Sequence, residues 1–346
     1  MMNRRTFSKQ LLAASALPAL PYLSKTTAVK KRLKPKRLKK GDTVGLITPG
    51  SYISDEALET AVQNLEKEGF VVKLSKNIRA KRGFTAGTDQ ERLDDLHSMF
   101  ADPQVDAVWC ARGGYGCSRL LPNIDYKLIK RNPKVFIGYS DITALHTAIV
   151  QETGLMCFHG PVGASDFSDY TKMHFEKLLM APEEPFTISL SADNVEKGTD
   201  NDVFQTQTIR PGRATGELVG GNLSLLAALA GTPHGFDAKN KLVFIEDIGE
   251  KPYRIDRMLT QLRQASNLSE AAGIALGIFA DCQADEDDLS LSLMETLTDR
   301  LADLGIPVLY GLSFGHITHQ CTLPVGIAAS LDTERRTLTV LEKAVV

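Results

Sequence analysis

Short apolar runs alternate with amphipathic runs along most of the chain, and this alternation limits the possible folds more than any other feature. Apolar runs such as Thr43–Thr48 and Val135–Ile137 are separated by stretches with helical spacing, such as Asp89–Phe100. Thr88 and Glu91 form a capping box at the start of that predicted helix. Short β-like runs separated by helices are typical of a mostly parallel sheet, so we predict an α/β fold.

The alternation predicts two lobes joined by a connection. Residues 41–165 should form an N-terminal α/β domain, a mostly parallel sheet flanked by helices. Residues 166–206 are rich in Asp, Ser, Thr and Pro and have weak periodicity, which indicates an inter-lobe connection. Residues 207–346 should form a smaller mixed α/β lobe, closed by strands over Ile327–Leu331 and Thr337–Leu341.

The first 28 residues resemble a twin-arginine export signal. Arg4 and Arg5 precede the apolar run Leu11–Leu23, and Thr26–Ala28 offers a small-residue cleavage site. A membrane anchor is the alternative, but the run has only thirteen residues and contains two prolines. A spanning helix needs roughly 20 apolar residues. We therefore expect export to the periplasm and no stable membrane span.

The distribution of charge separates the N-terminal region from the rest of the chain. Residues 29–40 contain eight basic residues and no acid, which predicts a solvated basic linker, with contact to anionic lipid as the alternative. From Gly41 onward, 28 basic residues stand against 42 acidic ones, a formal net charge of −14. Such a body repels phosphate backbones, so we do not expect nucleic acid as a partner.

The histidines and cysteines form no recognisable metal motif. The chain has seven histidines and five cysteines but no CxxC pair and no HExxH, so the sequence predicts no zinc site. Twin-arginine systems are understood to carry proteins that have already folded. We therefore expect the five cysteines to be reduced, buried thiols, and we predict no disulfide.

The sharpest local feature is an apolar strand that runs directly into a serine and a helix. Val135–Ile137 is followed by Gly138, Tyr139, Ser140 and Asp141. A serine at such a turn is exposed at the carboxyl edge of the sheet, and the first amides of the helix can face an oxyanion. This geometry suits a nucleophile. The alternative is that Ser140 or Asp141 simply caps the helix.

A glycine-rich loop follows another predicted strand. Arg112, Gly113 and Gly114 lie in the segment VWCARGGYG, and glycines allow backbone N–H groups to approach a ligand closely. The loop lacks the spacing of GxGxxG and of a Walker motif, so a nucleotide site is a weak interpretation. A loop that faces substrate or donates to an oxyanion fits at least as well.

An acid and a histidine complete the set of candidates. Glu246 ends the predicted strand Leu242–Ile245, and an acid there could orient a histidine or simply cap the next element. His316 follows a small-residue turn after a short strand, where it could lie clear of the core. His319 and His159 are competing candidates, since a lone histidine is more often structural.

Taken together, these stretches resemble the serine LD-carboxypeptidase family, which includes the muramoyl-tetrapeptide carboxypeptidases and the microcin C immunity peptidases. The similarity covers nearly all of residues 41–345. The motifs occur in the family's order: ITPGS, FTAGTDQERLDDL, VWCARGGYG, IGYSD, HGP, GELVGGNLSLL, FIEDIGE and GH. Each motif alone would be weak, but the ordered set is highly specific.

The resemblance implies a serine-hydrolase mechanism. It places the family's nucleophile on Ser140, its acid on Glu246 and its histidine on His316. His316 would take the serine proton and return it to the departing amine, while Glu246 would hold the imidazole tautomer. The oxyanion donors would be the backbone amides of Asp141 and Gly114. The resemblance implies no metal and no organic cofactor.

The resemblance also implies a substrate, a murein tetrapeptide from which the terminal D-alanine is removed. The candidates for binding that residue's carboxylate are the loop that contains Arg112 and Gly113, and the turn that ends at Asn222. Family members are often homodimers, so a homodimer is expected. The preferred diamino acid and the cleavage of the signal stay open.

Two other functions compete with this one. The first is an amidase that acts on another acyl-amide, such as a microcin C-like peptidyl-nucleotide. An aromatic platform for the nucleobase would be expected there, and we predict that the single tryptophan, Trp109, is buried at a strand end. The second is an exported two-lobe solute-binding protein, which would fit the signal, the length and the two lobes but not the ordered Ser, Glu and His motifs.

Overall fold

A computed structural model describes residues 32–285, 287 and 289–346. The predicted signal over residues 1–28 and the first three residues of the predicted linker lie outside the described residues. Two sheets with flanking helices organise the described part of the chain. This confirms the prediction of a two-lobe α/β fold.

The first lobe follows the predicted alternation. Its elements in chain order are β1 (Thr43–Ile47), α1 (Asp55–Lys67), β2 (Val71–Leu74), α2 (Asp89–Ala101), β3 (Ala107–Cys110), α3 (Tyr126–Arg131), β4 (Val135–Gly138), α4 (Thr143–Thr153) and β5 (Cys157–His159). Helix α2 begins where the capping box predicts, since the Thr88 hydroxyl accepts from the Glu91 N–H while the Glu91 carboxylate accepts from the Thr88 N–H.

The predicted connection contains regular structure of its own. It holds α5 (Asp169–Phe175), a π-helical turn (Glu176–Met180), β6 (Phe186–Ile188) and α6 (Ala192–Lys197). Strand β6 joins the sheet of the second lobe. These elements are short, which explains why their periodicity is weak in the sequence.

The second lobe is mixed α/β, as predicted, although its sheet has more strands than the first. Its elements are β7 (Gln207–Arg210), β8 (Arg213–Asn222), α7 (Leu223–Leu229), β9 (Lys241–Glu246), α8 (Pro252–Ala265), β10 (Gly273–Leu276), α9 (Leu293–Leu301), β11 (Val308–Tyr310), β12 (Leu323–Val325), β13 (Ala328–Asp332) and β14 (Thr337–Val340). Strands β13 and β14 pair antiparallel, as the sequence predicts.

The strand order explains how the two lobes share one site. The first sheet has the order β12-β5-β4-β3-β1-β2, in which β1 to β5 are parallel and β12 runs antiparallel to β5. The second sheet has the order β6-β14-β13-β8-β9-β10-β11-β7, and its central strands β8 to β11 are parallel. Strand β12 therefore belongs to the second lobe by sequence but extends the sheet of the first.

Residues 32–40 match the predicted solvated basic linker only in part: four of their six cations are exposed, while the rest of the segment packs on the body. Leu38 is 1% exposed, and the guanidinium of Arg32 pairs with the Glu217 carboxylate on β8. The Lys34 ammonium lies 2.7 Å from a carboxylate oxygen of Glu342. Apolar residues are interspersed among the cations, so the segment buries Leu38 and pairs two of the cations with the acidic body.

Three further features concern the cysteines, the lengths of the helices and the grouping of possible metal ligands. All five cysteines are free and buried: Cys110, Cys117, Cys157, Cys282 and Cys321. Within the described ranges, no helix is long and apolar enough to cross a membrane. In that same part of the chain, His, Cys, Asp and Glu side chains form no cluster of three that could hold a metal ion.

Candidate active site

Ser140 lies at a sharp turn between a buried strand and a helix. Strand β4 ends at Gly138, and Ser140 follows in the left-handed region with φ of +66°, as the first residue of the helical turn that leads into α4. A left-handed conformation is uncommon for a residue with a side chain and occurs often at functional turns. The turn leaves Ser140 partly exposed at the carboxyl edge of the first sheet.

The glycine-rich loop packs directly against this turn. A Cβ atom on Gly113 would lie 3.1 Å from Ser140 Cβ and 3.1 Å from the Tyr139 carbonyl oxygen, so a larger residue would press on the turn. The Asp141 carboxylate accepts a hydrogen bond of 2.9 Å from the Cys117 N–H. Burial raises the pKa of this carboxyl group, while its hydrogen bonds to the loop act in the opposite direction. Asp141 therefore fixes the loop beside the serine.

A buried arginine holds the same loop from behind. Arg92 is 1% exposed, and its Nη1 donates to the carbonyl oxygens of Pro49 and Gly116 at 2.6 and 2.9 Å. Within the described part of the chain, the N–H groups of Asp141 and Gly114 donate to no other residue. One backbone donor at the serine turn and one in the adjoining glycine-rich loop thus stay available for a ligand, as an oxyanion site requires.

Glu246 and His316 form a direct pair. Nδ1 of His316 lies 2.7 Å from Oε2 of Glu246, with side-chain exposures of 14% and 0%. Glu246 is the last residue of β9, and His316 follows β11 in the loop that bridges to Ile278 through Gly315. A Cβ atom on Gly315 would lie 3.3 Å from Glu246 Oε2, so a larger residue would crowd the pair.

Glu246 raises the pKa of His316, and His316 lowers the pKa of Glu246, as expected for an ion pair. Burial disfavours the imidazolium of His316, but the Glu246 carboxylate outweighs burial, so the pKa of His316 is raised. Burial likewise disfavours the carboxylate of Glu246, and the charge and hydrogen bond of His316 outweigh it, so the pKa of Glu246 is lowered. Glu246 therefore stabilises a protonated His316, as a general base needs during proton transfer.

The pair lies next to the serine turn. The ring of Tyr139, the residue before Ser140, has its centroid 4.8 Å from that of His316. Among the described residues, no hydrogen bond yet joins Ser140 Oγ to His316. Such catalytic bonds are often loose in an unliganded enzyme and tighten when substrate binds.

Asn222 does not occupy the position that the sequence predicts for it. Gly220 and Gly221 belong to strand β8 rather than to a turn, and Asn222 ends that strand beside Glu246. The Asn222 side chain caps α7 and donates to Asp247 Oδ1 at 2.9 Å, and the residue is only 3% exposed. Asn222 therefore holds Asp247, the residue after Glu246, and its contact with substrate stays a prediction.

Asp247 is a buried acid that sequence reasoning missed. It accepts from Asn222 and from the N–H and hydroxyl of Ser224 at 2.9–3.0 Å. Burial, and then the neighbouring Glu246 carboxylate, raise the pKa of Asp247 to about 6. The motif FIEDIGE contains the adjacent acids Glu246 and Asp247. Because side chains alternate between the two faces of a strand, the end of β9 was the only signal that the two acids point in different directions.

The competing histidines lie outside the pair. His159 is fully buried, and its ring packs against Tyr139, Phe244 and Phe314. Burial lowers the pKa of His159 to about 4. His319 lies 3.6 Å from Asp193 and does not contact Glu246 within the described residues. Trp109 has no exposed surface, as predicted.

A cavity of about 550 Å³ opens beside His316. Tyr139 and His316 line one side, and the predicted connection contributes Lys197 and Phe204. Arg112 and Asn222 do not line it; Arg112 is exposed and donates to the Tyr52 carbonyl oxygen at 2.9 Å. The sequence missed Lys197 because it lies in a segment with weak periodicity.

Comparison with known families identifies both lobes. A family described as the LD-carboxypeptidase N-terminal domain matches residues 44–160. The LD-carboxypeptidase C-terminal domain matches residues 215–331. The two matches together cover more than half of the chain, including the serine turn and the Glu246–His316 pair.

Individual proteins agree with the family match. The chain is 45% identical over 309 residues to a probable murein peptide carboxypeptidase of Bacillus subtilis, covering 88% of this chain and 93% of that protein. It is 35% identical to the murein tetrapeptide carboxypeptidase of Pseudomonas aeruginosa, covering 84% and 94%. The structure of the microcin C7 self-immunity protein of Escherichia coli with glutamyl sulfamoyl guanosine superposes with a TM-score of 0.81 at 25% identity, covering 91% and 100%.

Proposed function

The chain belongs to the LD-carboxypeptidase family, and on that premise we propose that it removes the terminal D-alanine from murein tetrapeptides by acyl transfer through Ser140. It is a serine-type carboxypeptidase, and relatives at 45% and 35% identity act on murein peptides by name. The observation that carries the residue assignment is the 2.7 Å contact between His316 and a fully buried Glu246, next to the serine turn.

The reaction follows from the proposed roles. Nε2 of His316 accepts the proton of Ser140, and the serine oxygen attacks the carbonyl of the peptide bond before D-alanine. The N–H groups of Asp141 and Gly114 stabilise the oxyanion of the tetrahedral intermediate. His316 then gives its proton to the departing amine, and water hydrolyses the acyl-enzyme by the same steps. Throughout, Glu246 holds Nδ1 and stabilises the imidazolium.

Murein peptides with defined termini test this proposal. We expect the purified protein to convert a tetrapeptide to the tripeptide plus free D-alanine, identified by mass. A terminal L-alanine should be cut far more slowly, since inversion leaves binding donors unpaired, a penalty of roughly tenfold to hundredfold per lost contact. Comparable rates on the two diastereomers would contradict LD-carboxypeptidase specificity.

A covalent serine probe separates the enzyme from a two-lobe binding protein. We expect stoichiometric labelling of Ser140, and no labelling after Ser140→Ala. The amidase alternative has less support, because Trp109 is buried and does not offer an aromatic platform for a nucleobase. The Phe204 ring in the cavity is covered by the Lys197 ammonium, which lies 5.4 Å from its centroid. Efficient hydrolysis of a peptidyl-nucleotide, with no action on murein tetrapeptide, would favour that alternative.

The place of action and the assembly are part of the proposal. We propose that the protein is exported to the periplasm by a twin-arginine route, since Arg4 and Arg5 precede a short apolar run. Export would place the protein in the compartment where murein peptides are made and released. We also propose a homodimer, on the family resemblance alone. Sedimentation equilibrium of the purified protein tests it, and a monomer mass at working concentration would contradict it.

A further inference from the structure

The leaving group of the reaction must lie on the His316 side of the site. In acyl transfer, the histidine that took the serine proton returns it to the departing amine. The departing D-alanine therefore lies beside His316 when the peptide bond breaks. A cavity of about 550 Å³, lined by His316 and by Tyr139 next to Ser140, is large enough to hold it. A carboxypeptidase must also recognise the free carboxylate of that residue, which needs a fixed donor or cation.

Lys197 is the cation that the described residues bring to this cavity. Among the described residues that line it, none of the others is a lysine or an arginine, while Asp166 and Asp281 add negative charge. The chain from Gly41 onward is already strongly acidic. An anionic peptide terminus that enters this cavity would therefore meet repulsion unless a positive group compensates for it.

The charge of Lys197 is free to bind a ligand. Its ammonium forms no ion pair with a carboxylate of the described residues and lies instead 5.4 Å from the centroid of the Phe204 ring. Other lysines of the described residues do have such a partner, as Lys34 and Lys239 do. The position of the ammonium is nevertheless restrained, because it lies over the ring of Phe204, which also lines the cavity.

The backbone also fixes Lys197. It is the last residue of α6, and its carbonyl oxygen accepts from the N–H groups of Asp200 and Asn201 at 3.2 and 3.0 Å. The turn that follows brings Asn201 and Phe204 into the same wall of the cavity. The lysine is thus presented by a short helix and a hydrogen-bonded turn rather than by a free tail.

We propose that Lys197 binds the carboxylate of the departing D-alanine and so makes the enzyme an exopeptidase. This inference rests on the proposed function. It replaces the two carboxylate-binding candidates that the sequence offers, since neither Arg112 nor Asn222 lines the cavity beside His316. It also gives residues 166–206 a role in specificity rather than in connecting the lobes alone.

The experiment compares two substrates and four proteins. The substrates are a murein tetrapeptide with a free D-alanine carboxylate and the same peptide with that carboxylate amidated. The proteins are the wild type, Lys197→Met, Lys197→Arg and Lys127→Met. Lys127 is an exposed lysine on α3 that does not line the cavity, so its variant controls for the loss of one positive charge.

We expect the wild type to prefer the acid over the amide by roughly tenfold to hundredfold in kcat/KM, the effect of one charge-assisted contact. Lys197→Met should raise KM for the acid by a similar factor, leave kcat nearly unchanged and bring the ratio of acid to amide close to one. Lys197→Arg should keep most of the preference, and Lys127→Met should keep all of it.

The outcomes that contradict the inference are distinct from those that contradict the function. If the wild type cleaves the acid and Lys197→Met keeps the wild-type ratio of acid to amide, Lys197 does not bind the terminal carboxylate. An equal loss on both substrates has the same meaning, because the lysine would then contact another part of the peptide. If the wild type cleaves neither substrate, the proposed function and the inference that rests on it are both wrong.

Discussion

Replacement of Glu246 by glutamine tests the central pair of the site without changing its shape. The side chain is fully buried, and its Oε2 lies 2.7 Å from Nδ1 of His316. Glutamine keeps the volume but removes the negative charge, and its amide can present either a donor or an acceptor to the imidazole. We expect the rate to fall by about 10⁴, the loss seen when a triad histidine is held in the wrong tautomer.

The same change should move the pH profile in a predictable direction. His316 acts as a base only when neutral, so kcat/KM is at its full value above the pKa of His316 and decreases as the pH falls below that pKa. Glu246 raises that pKa, and removing the carboxylate must lower it. The acid limb of Glu246→Gln should therefore lie at lower pH than that of the wild type.

The assay is the residual release of D-alanine from murein tetrapeptide, followed by mass from about pH 4 to pH 9, where histidine titrates. Glu334→Gln serves as the control, because Glu334 is exposed and remote from His316. A thermal melt of each variant separates loss of chemistry from loss of fold. An acid limb that stays in place, or a variant that keeps a tenth of the activity, would show that Glu246 does not act through His316.

Four further outcomes are expected. Ser140→Ala should lower kcat by about 10⁶ with substrate binding retained in a titration, and retention of a tenth of the activity would exclude Ser140 as nucleophile. EDTA should leave activity unchanged, since the proposed route needs no metal-bound water; loss in EDTA with recovery on zinc would overturn the route. Lysine at both Arg4 and Arg5 should trap a precursor in the cytoplasm, and unimpaired export would contradict the twin-arginine interpretation. Gly221→Ala should lower the free energy of unfolding by about 1–3 kcal/mol, because its Cβ would lie 2.5 Å from the Thr143 side chain at a φ of +146°; an unchanged urea midpoint would show that the contact relaxes freely.

The strongly periodic elements and the ends of the strands could be predicted from the sequence. The helix after Thr88 and the turn at Ser140 both depend on residues that are close together in the chain. Glu246 and His316 could each be located at the end of a short strand for the same reason. What the local pattern could not predict is their contact, since these residues are 70 positions apart and come together only through the order of strands β9, β10 and β11.

The errors have physical causes that local patterns do not contain. The end of strand β8 could not be predicted, because Gly220 and Gly221 are typical of turns. In the structure these glycines allow the strand to pass directly against β9 and Thr143. Residues 32–40 pack on the body more than their charge predicts, because the carboxylates that pair with Arg32 and Lys34 come from distant parts of the sequence. The charge of a segment shows how many opposite charges could pair with it, but not which distant residues supply them.

The proposed triad is divided between two lobes, so catalysis depends on the position of one lobe relative to the other. Strand β12 begins seven residues after His316 and pairs with β5 of the first sheet, so the histidine loop is anchored in both lobes. A second link lies just after Ser140, the proposed nucleophile, where Thr143 Oγ1 accepts from the N–H of Asn222 at 3.0 Å. Asn222 is in register with Glu246 on the neighbouring strand, so this bond relates the serine turn to the acid directly. Because a shift of about 1 Å in a reacting group can cost a hundredfold in rate, damage to either link should lower kcat before it measurably lowers stability.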